Sequence, residues 1–349
     1  MTSPALQKDK LQRISQLKEK YRIFLIVFFL FVLLMALAVS VFKGTLSFSP
    51  QAVLDVFWGK SQEQMIGHII WNVRLPRTLI ALMVGFNMAV AGALLQGILR
   101  NPLASPNIIG ASSGAGLAAV IVMSLMPGNI KMLPSAAFLG ALLAGLIIYG
   151  LARREGRSSG ITIILAGIAL GALLSAFTSA LMILHSDELS VTYTWLAGSL
   201  IGRGWPYFAL IWPYSLAGGL GAVFLSPRVN LFLLGEEVGK NLGLSVEISK
   251  LLIIINASIL AGSAVSVAGT IGFIGIVAPH TARMMIGNDY RYLVILSGIL
   301  GGLLLVISDV LARTLFQPLE IPVGIFTAIL GAPFFYFLLY KKRSGLPLP

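Results

Sequence analysis

His68, His185 and His280 are the only imidazoles this chain can offer as ligands or general bases, and they stand far apart in sequence. No HExxH pair and no run of carboxylates with metal-ligand spacing accompanies them. His280, in Ala278-Pro279-His280, reads as a polar group held inside a helix bundle rather than as a ligand. The absence of cysteine removes a disulfide framework, thiolate metal sites and a lipid anchor on Cys. Gly235-Glu236-Glu237-Val238-Gly239-Lys240-Asn241 resembles a phosphate loop only superficially. Its glycine spacing is one short, Asn241 stands where Ser or Thr is needed, and no βα unit surrounds it. The expectation is a chain with no catalytic residues, metal or cofactor, which does not itself hydrolyse ATP.

What remains is charge in places where charge is costly. Asp309 and Arg313 lie four apart in an apolar run and so share one helix face. A carboxylate near mid-membrane would serve a proton- or sodium-coupled carrier, but the adjacent guanidinium favours a structural ion pair. Arg74 and Arg77 flank Pro76, a residue suited to a first helical turn. Cations there oppose the helix dipole by roughly 0.3 kcal/mol or more, so an anion is required. Either lipid phosphates, reached by snorkelling, or carboxylates of an external partner would supply it. The third feature is Gly235 to Lys250, GEEVGKNLGLSVEISK, a charged stretch between two strongly apolar runs. Its placement suggests a contact made for another protein.

The elements that must position these residues are apolar. Hydrophobic residues make up 57% of the chain and charged ones 11%, and the mean hydropathy is +0.91, which marks a membrane protein. Apolar runs near 23–42, 78–99, 107–127, 132–152, 161–184, 206–225, 251–268, 271–287, 292–313 and 322–340 predict ten helices. Ala268-Gly269-Thr270-Ile271-Gly272 interrupts the stretch between the seventh and eighth, and the eighth is short. With Met1 inside and ten crossings, eighteen of the 25 basic residues fall inside and seven outside. Both basic ends share a side only for an even number of crossings, so ten is preferred to nine. The net charge of +12 then reflects loops facing an anionic leaflet and requires no nucleic acid. The run Ile23 to Phe42 lacks a small-residue cleavage site and reads as a retained span. The expected layout is a cytoplasmic segment 1–22, one all-α ten-helix membrane domain over 23–341 with a polar segment at about 234–250, and a cytoplasmic tail 342–349. Many of the 37 glycines fall inside apolar runs, and Gly110/Gly114, Gly167/Gly171 and Gly298/Gly302 have small-xxx-small spacing that reads as helix packing. Ala89 to Ala93 and Leu260 to Ala264 echo each other, a weak sign of related halves.

The run VRLPRTLIALMVGFNMAVAGALLQGILRNPLASPNIIGASSGAG, Val73 to Gly116, resembles the permeases of iron-siderophore and cobalamin ABC importers. So do Ala268 to His280, AGTIGFIGIVAPH, and Glu320 to Pro333, in the family's order and spacing, so that the likeness runs from about Thr45 to Tyr340. The resemblance implies a bacterial cell-membrane permease with both termini inside, paired with a second copy or a close paralogue around one path. It further implies two cytoplasmic ATPase subunits, an external substrate-binding protein and contact with membrane lipid. The family's docking arginines fall on Arg74, Arg77 and Arg313. Its ATPase-coupling segment falls on Leu234, Gly235, Glu236, Glu237, Gly239, Leu242, Gly243 and Leu244. Helices five and ten are expected to line the path, with no individual residue picked out. Ferric siderophore is the expected cargo, with haem or cobalamin as alternatives. An ion-coupled secondary transporter relying on Asp309, or a membrane-embedded enzyme, are the readings from other classes.

Overall fold

The computed structural model describes residues 4–46, 48–60, 63–154, 157–185 and 189–343. Helix α1 runs over Pro4–Phe42, so the run expected over 23–42 is the second half of a 39-residue helix. After it come α2 (Pro50–Phe57) and α3 (Gln64–His68); a π-helical turn, Ile69–Arg74, joins α3 to α4 (Leu75–Ile98). Together Gln64–Ile98 form one continuous rod of 35 residues. Then follow α5 (Ala111–Leu125), α6 (Leu133–Ala152), the two-residue strands β1 (Arg153–Arg154) and β2 (Arg157–Ser158), α7 (Gly160–Leu184) and α8 (Leu189–Leu196). The chain continues through α9 (Trp205–Leu233), α10 (Glu236–Asn241), α11 (Val246–Ala268), α12 (Ile274–Ile286), α13 (Tyr290–Thr314) and α14 (Val323–Arg343). Residues 344–349 of the expected tail lie outside the described residues.

Each of the ten anticipated runs coincides with a helix. Seven helical stretches are long and apolar enough to cross a membrane, and α5 and the apolar part of α14 are shorter. The tenth, α12, has 13 residues. Its shortness has a local cause: Gly269 at φ +72° and Phe273 at φ +66° break the helix on either side of a non-helical strip. Apart from the β1–β2 ladder, the described residues form helices and their connections.

Helix starts follow from capping groups that satisfy otherwise orphaned amides. Ser49 accepts from Ala52 N with Pro50 at the first turn of α2, and Ser159 forms a reciprocal capping box with Thr162 at the head of α7. Asp289 accepts from Arg291 N to start α13 and also receives Asn230 of α9 and Arg22 of α1. Hydrogen bonds from Arg291 and Asn230 outweigh partial burial and hold the Asp289 carboxyl at about 2. One carboxylate thus ties three helices together at one membrane face.

The rod Gln64–Ile98 is the centre of the bundle, with 78% of its apolar stretch buried, beside α11 and α13 at 72% each. Backbone contact makes this possible. A methyl group at Gly85 would overlap the Gly301 carbonyl oxygen of α13, and one at Gly92 would overlap that of Gly275 in α12. The small-xxx-small pairs also pack: Gly114 of α5 meets Gly140 of α6, and Gly298 and Gly302 of α13 meet Phe86 and Leu82 of α4. Helix α7 differs, since only 11% of its apolar stretch is buried.

Gly85→Leu should therefore force α4 away from α13 and destabilise the detergent-solubilised protein by about 3 kcal/mol or more. Gly128→Leu, where an added side chain meets open space, should leave the thermal midpoint in place.

Candidate functional site

Three sites follow from this frame: a charged cluster at one face, a cavity beside α7 and the short helix α10 at the opposite face. Trp205 Nε1 donates to Trp71 O at 2.9 Å, which sets the start of α9 beside the start of α4, so α10, after α9, lies at the far end.

At the first face, Arg77 in the opening turn of α4 reaches both α13 and the segment before α14. Its Nε and Nη2 donate to Asp309 Oδ1 at 3.0 and 2.9 Å, and its Nη1 donates to Glu320 Oε2 at 2.7 Å. Thr45 Oγ1 donates to the other Glu320 oxygen at 2.9 Å. Arg313 lies 3.4 Å from Asp309 Oδ2, while its Nη2 donates to the carbonyl and hydroxyl of Ser40, each at 2.6 Å. The expected Asp309–Arg313 pair is therefore part of a triad in which Arg77 is the tighter partner of Asp309. The anion that the sequence sought from lipid or an external protein is supplied to Arg77 by the chain itself. Arg74 donates to the carbonyls of Val41, Phe42 and Leu46 and stacks over Phe48.

All three guanidiniums are buried, with Arg74 4%, Arg77 7% and Arg313 2% exposed, which suits groups paired inside an apolar frame. The described ion pairs of the cluster set two guanidiniums, Arg77 and Arg313, against two carboxylates, while Arg74 bonds backbone carbonyls alone. A cavity of about 190 Å³, lined by Arg74, Arg77, Arg313, Glu320 and Thr45, opens onto it. Burial alone would raise the Glu320 carboxyl, but the Arg77 guanidinium overrides it and holds the group below the usual carboxylate range.

The second site was not legible as individual residues in the sequence. A cavity of about 1040 Å³ lies against α7, walled by Ser175, Thr178 and Ser179 of α7, Asn107, Ser112 and Ser113 before and within α5, and Thr270 to Gly272 of the non-helical strip. Ser175, Thr178 and Ser179 stand at i, i+3 and i+4, so one helix face carries a stripe of hydroxyls. That spacing was the available signal. The strip Thr270 to Gly272 is irregular backbone at membrane depth, which is tolerated where it lines a cavity.

At the third site, α10 projects between α9 and α11. Gly235 at φ +106° turns the chain into it, and Gly243 at φ +89° turns it out. Leu244 N donates to Gly239 O at 2.9 Å. Leu234, Val238 and Leu242 are exposed at 58%, 47% and 60%; Val238 and Leu242, four apart, share one face of α10, and Leu234 lies just before the turn at Gly235. Val238 was absent from the residues expected to meet an ATPase, although this spacing marks it. Gly239 and Leu244 are buried and shape the turn from inside. Glu236, Glu237 and Lys240 line an adjoining cavity of about 620 Å³.

The histidines sit in α3, at the end of α7 and in α12. Among the described residues no group of three or more His, Cys, Asp or Glu is placed to hold a metal.

Residues 30–341 match the profile of the FecCD transport family. The chain belongs to this family. It is 38% identical over 323 residues to the Fe(3+)-citrate import system permease protein YfmE of Bacillus subtilis (strain 168), covering 92% of this chain and 96% of that one. It is 39% identical over 328 residues to the hemin transport system permease protein HmuU of Yersinia pestis, covering 90% and 95%. A solved inward-facing transporter assigned to the metal-chelate ABC type has a TM-score of 0.82 at 29% identity, covering 91% of this chain and 99% of that one. This FecCD chain is accordingly a multi-span permease subunit of an ATP-driven ABC importer, and ATP hydrolysis lies in separate ATPase subunits.

The charged cluster makes a stability prediction. Asp309→Asn leaves Arg77 and Arg313 underpaired in an apolar site and should cost about 3–5 kcal/mol. Glu320→Gln, at the more exposed end, should cost about 1 kcal/mol or less. Because the Glu320 carboxyl is depressed in the folded state, its contribution is present above about pH 4.3 and lost only as pH falls through the lower folded value. Thermal unfolding of both variants between pH 3 and 7 checks the order and the acid step, which Glu320→Gln should make smaller, with Asp289 and Glu247 supplying what remains.

Proposed function

We propose that this permease carries a ferric siderophore along a path of which the cavity beside α7 forms one wall. The observation that supports it is the cavity's chemistry: the hydroxyls of Ser112, Ser113, Ser175, Thr178 and Ser179 and the amide of Asn107 stand among apolar side chains such as Ile168, Met182 and Leu196, with no charged side chain among the described lining residues. The hydroxyls give an oxygen-rich chelate hydrogen-bond partners that the face of a porphyrin would leave unpaired. The bare surface of α7, with Leu165, Ile168, Leu173 and Phe177 exposed, supports a second permease subunit, a copy of this chain or a close paralogue, as the other wall.

Two ATPase subunits, one per permease, grip the exposed side chains of Leu234, Val238 and Leu242. The polar residues Glu236 and Glu237 and the turn at Gly239, Gly243 and Leu244 shape that contact. An external substrate-binding protein docks over Arg74, Arg77 and Arg313, where a carboxylate entering the small cavity meets the Arg74 guanidinium, which is held by backbone carbonyls, beside Arg77 and Arg313, which are already paired with Asp309 and Glu320. Both termini then lie in the cytoplasm. ATP-driven closure of the motors moves α10 and opens the path alternately to each side.

The test is uptake into proteoliposomes holding this chain with its ATPase and binding protein. Radiolabelled ferric siderophore should accumulate with ATP, and haem or cobalamin should neither accumulate nor compete; accumulation of either in its place overturns the cargo assignment. Arg74→Ala leaves the Arg77 ion pairs in place and should weaken binding-protein capture about tenfold or more while ATPase attachment persists. Unchanged capture would sink the docking site.

A further inference from the structure

We propose that Lys250 is a positioning residue that clamps α10 to the α6–α7 turn, so that movement of α10 is delivered to α7. The proposal rests on the reading of α10 as the ATPase contact.

Lys250 lies in the second turn of α11 and is 1% exposed. A buried ammonium is tolerated only when its donors are taken up, and this one has three acceptors for three donors. Glu236 Oε2, on the first residue of α10, lies 2.8 Å from its Nζ, and Glu247 Oε1 of its own helix lies 3.5 Å away. The third acceptor is the carbonyl of Ser158 in β2. One side chain therefore joins α10 and its own helix to β2, 92 residues away in sequence.

The junction is reinforced on the side of α7. Glu247 accepts from Ser158 N at 3.2 Å, from Ser158 Oγ at 2.7 Å and from Tyr149 of α6 at 3.1 Å. The next residue, Ser159, is the cap of α7. From the Lys250 ammonium to the head of the helix that walls the large cavity is thus a single hydrogen bond and one residue. On the side of α10 the link is narrow. Among the described residues, Glu236–Lys250 is the ion pair that ties α10 to the rest of the chain. A pin that served folding alone would have no need to end on the first residue of α10 and beside the cap of α7 at once.

Lys250→Met and Glu236→Gln, in the assembled transporter with ATPase and binding protein, should each retain ATPase attachment and ATP hydrolysis but lower cargo transported per ATP by about tenfold. The double variant should fall no further than either single one, because both break the same link. The natural absence of cysteine allows a direct reading of motion. Spin labels on cysteines introduced at Lys240 and Ile161, both exposed, should keep a fixed separation through the nucleotide cycle in the parent chain and change it in Lys250→Met. A separation that changes equally in the parent, or normal transport per ATP in both single variants, overturns the clamp. Val238→Glu with Leu242→Glu is the separate control: ATPase attachment that survives it overturns the reading of α10 itself, whatever the clamp does.

Discussion

In hydrocarbon a charge can be neutralised by a partner held at bonding distance or carried to the membrane edge, and this chain does both at once. Its paired ionisable groups collect into knots at the two ends of the bundle. Arg77, Asp309 and Glu320 form one, Lys250, Glu236 and Glu247 another, and Arg22, Asp289 and Arg291 a third. Between them the helices are held by backbone contact through glycine, since lipid provides no hydrophobic drive for helices to associate. The middle of the bundle can therefore pack closely, while the identity of the loops is fixed at the ends by charge. The first and third knots join elements distant in sequence, and the second reaches β2 through the Ser158 carbonyl, so these charged groups fix how the ends of the bundle are arranged.

This division explains the large cavity. Helices α4, α11 and α13 fill the buried centre, whereas α7 is left at the margin with its hydroxyl stripe, together with Ile168, Met182 and Ile183, against the cavity and Leu165, Leu173 and Phe177 exposed. A helix held tightly at its capped end and loosely along its length can tilt without dismantling the core. The non-helical strip Thr270 to Gly272 adds backbone carbonyls and amides to the same wall, where a continuous helix would have kept them to itself.

The ten-helix plan was legible because each span needs a long apolar run, and such runs survive without knowledge of any neighbour. The short helix α12 was legible as an anomaly, since Gly269 already marked the break. Asp309 and Arg313 were paired correctly by helical spacing, but their tighter partner Arg77 lies 232 residues from Asp309, and nothing local announces it. Glu320 was invisible for the same reason. The polar stretch from Gly235 to Lys250 stands out by composition as a candidate contact surface, yet Lys250 counted only toward the charge of its side, because burial depends on segments brought in from elsewhere. Helices α2, α3 and α8, with 8, 5 and 8 residues, fall below the length at which periodicity speaks.

The unbroken helix from Gln64 to Ile98 has 35 residues. At about 1.5 Å per residue it is about 50 Å long, against about 30 Å of hydrocarbon. It therefore behaves as a beam that passes through the membrane and stands clear of it. Arg77 is anchored at one end of the α-helical part, in the first turn after the π-helical segment, and near the other end Gln96 accepts from Arg283 at 2.8 Å. A rigid beam pivoting at its packed middle must carry these two ends in opposite directions, so a disturbance at one membrane face has a mechanical counterpart at the other without any change of shape in between.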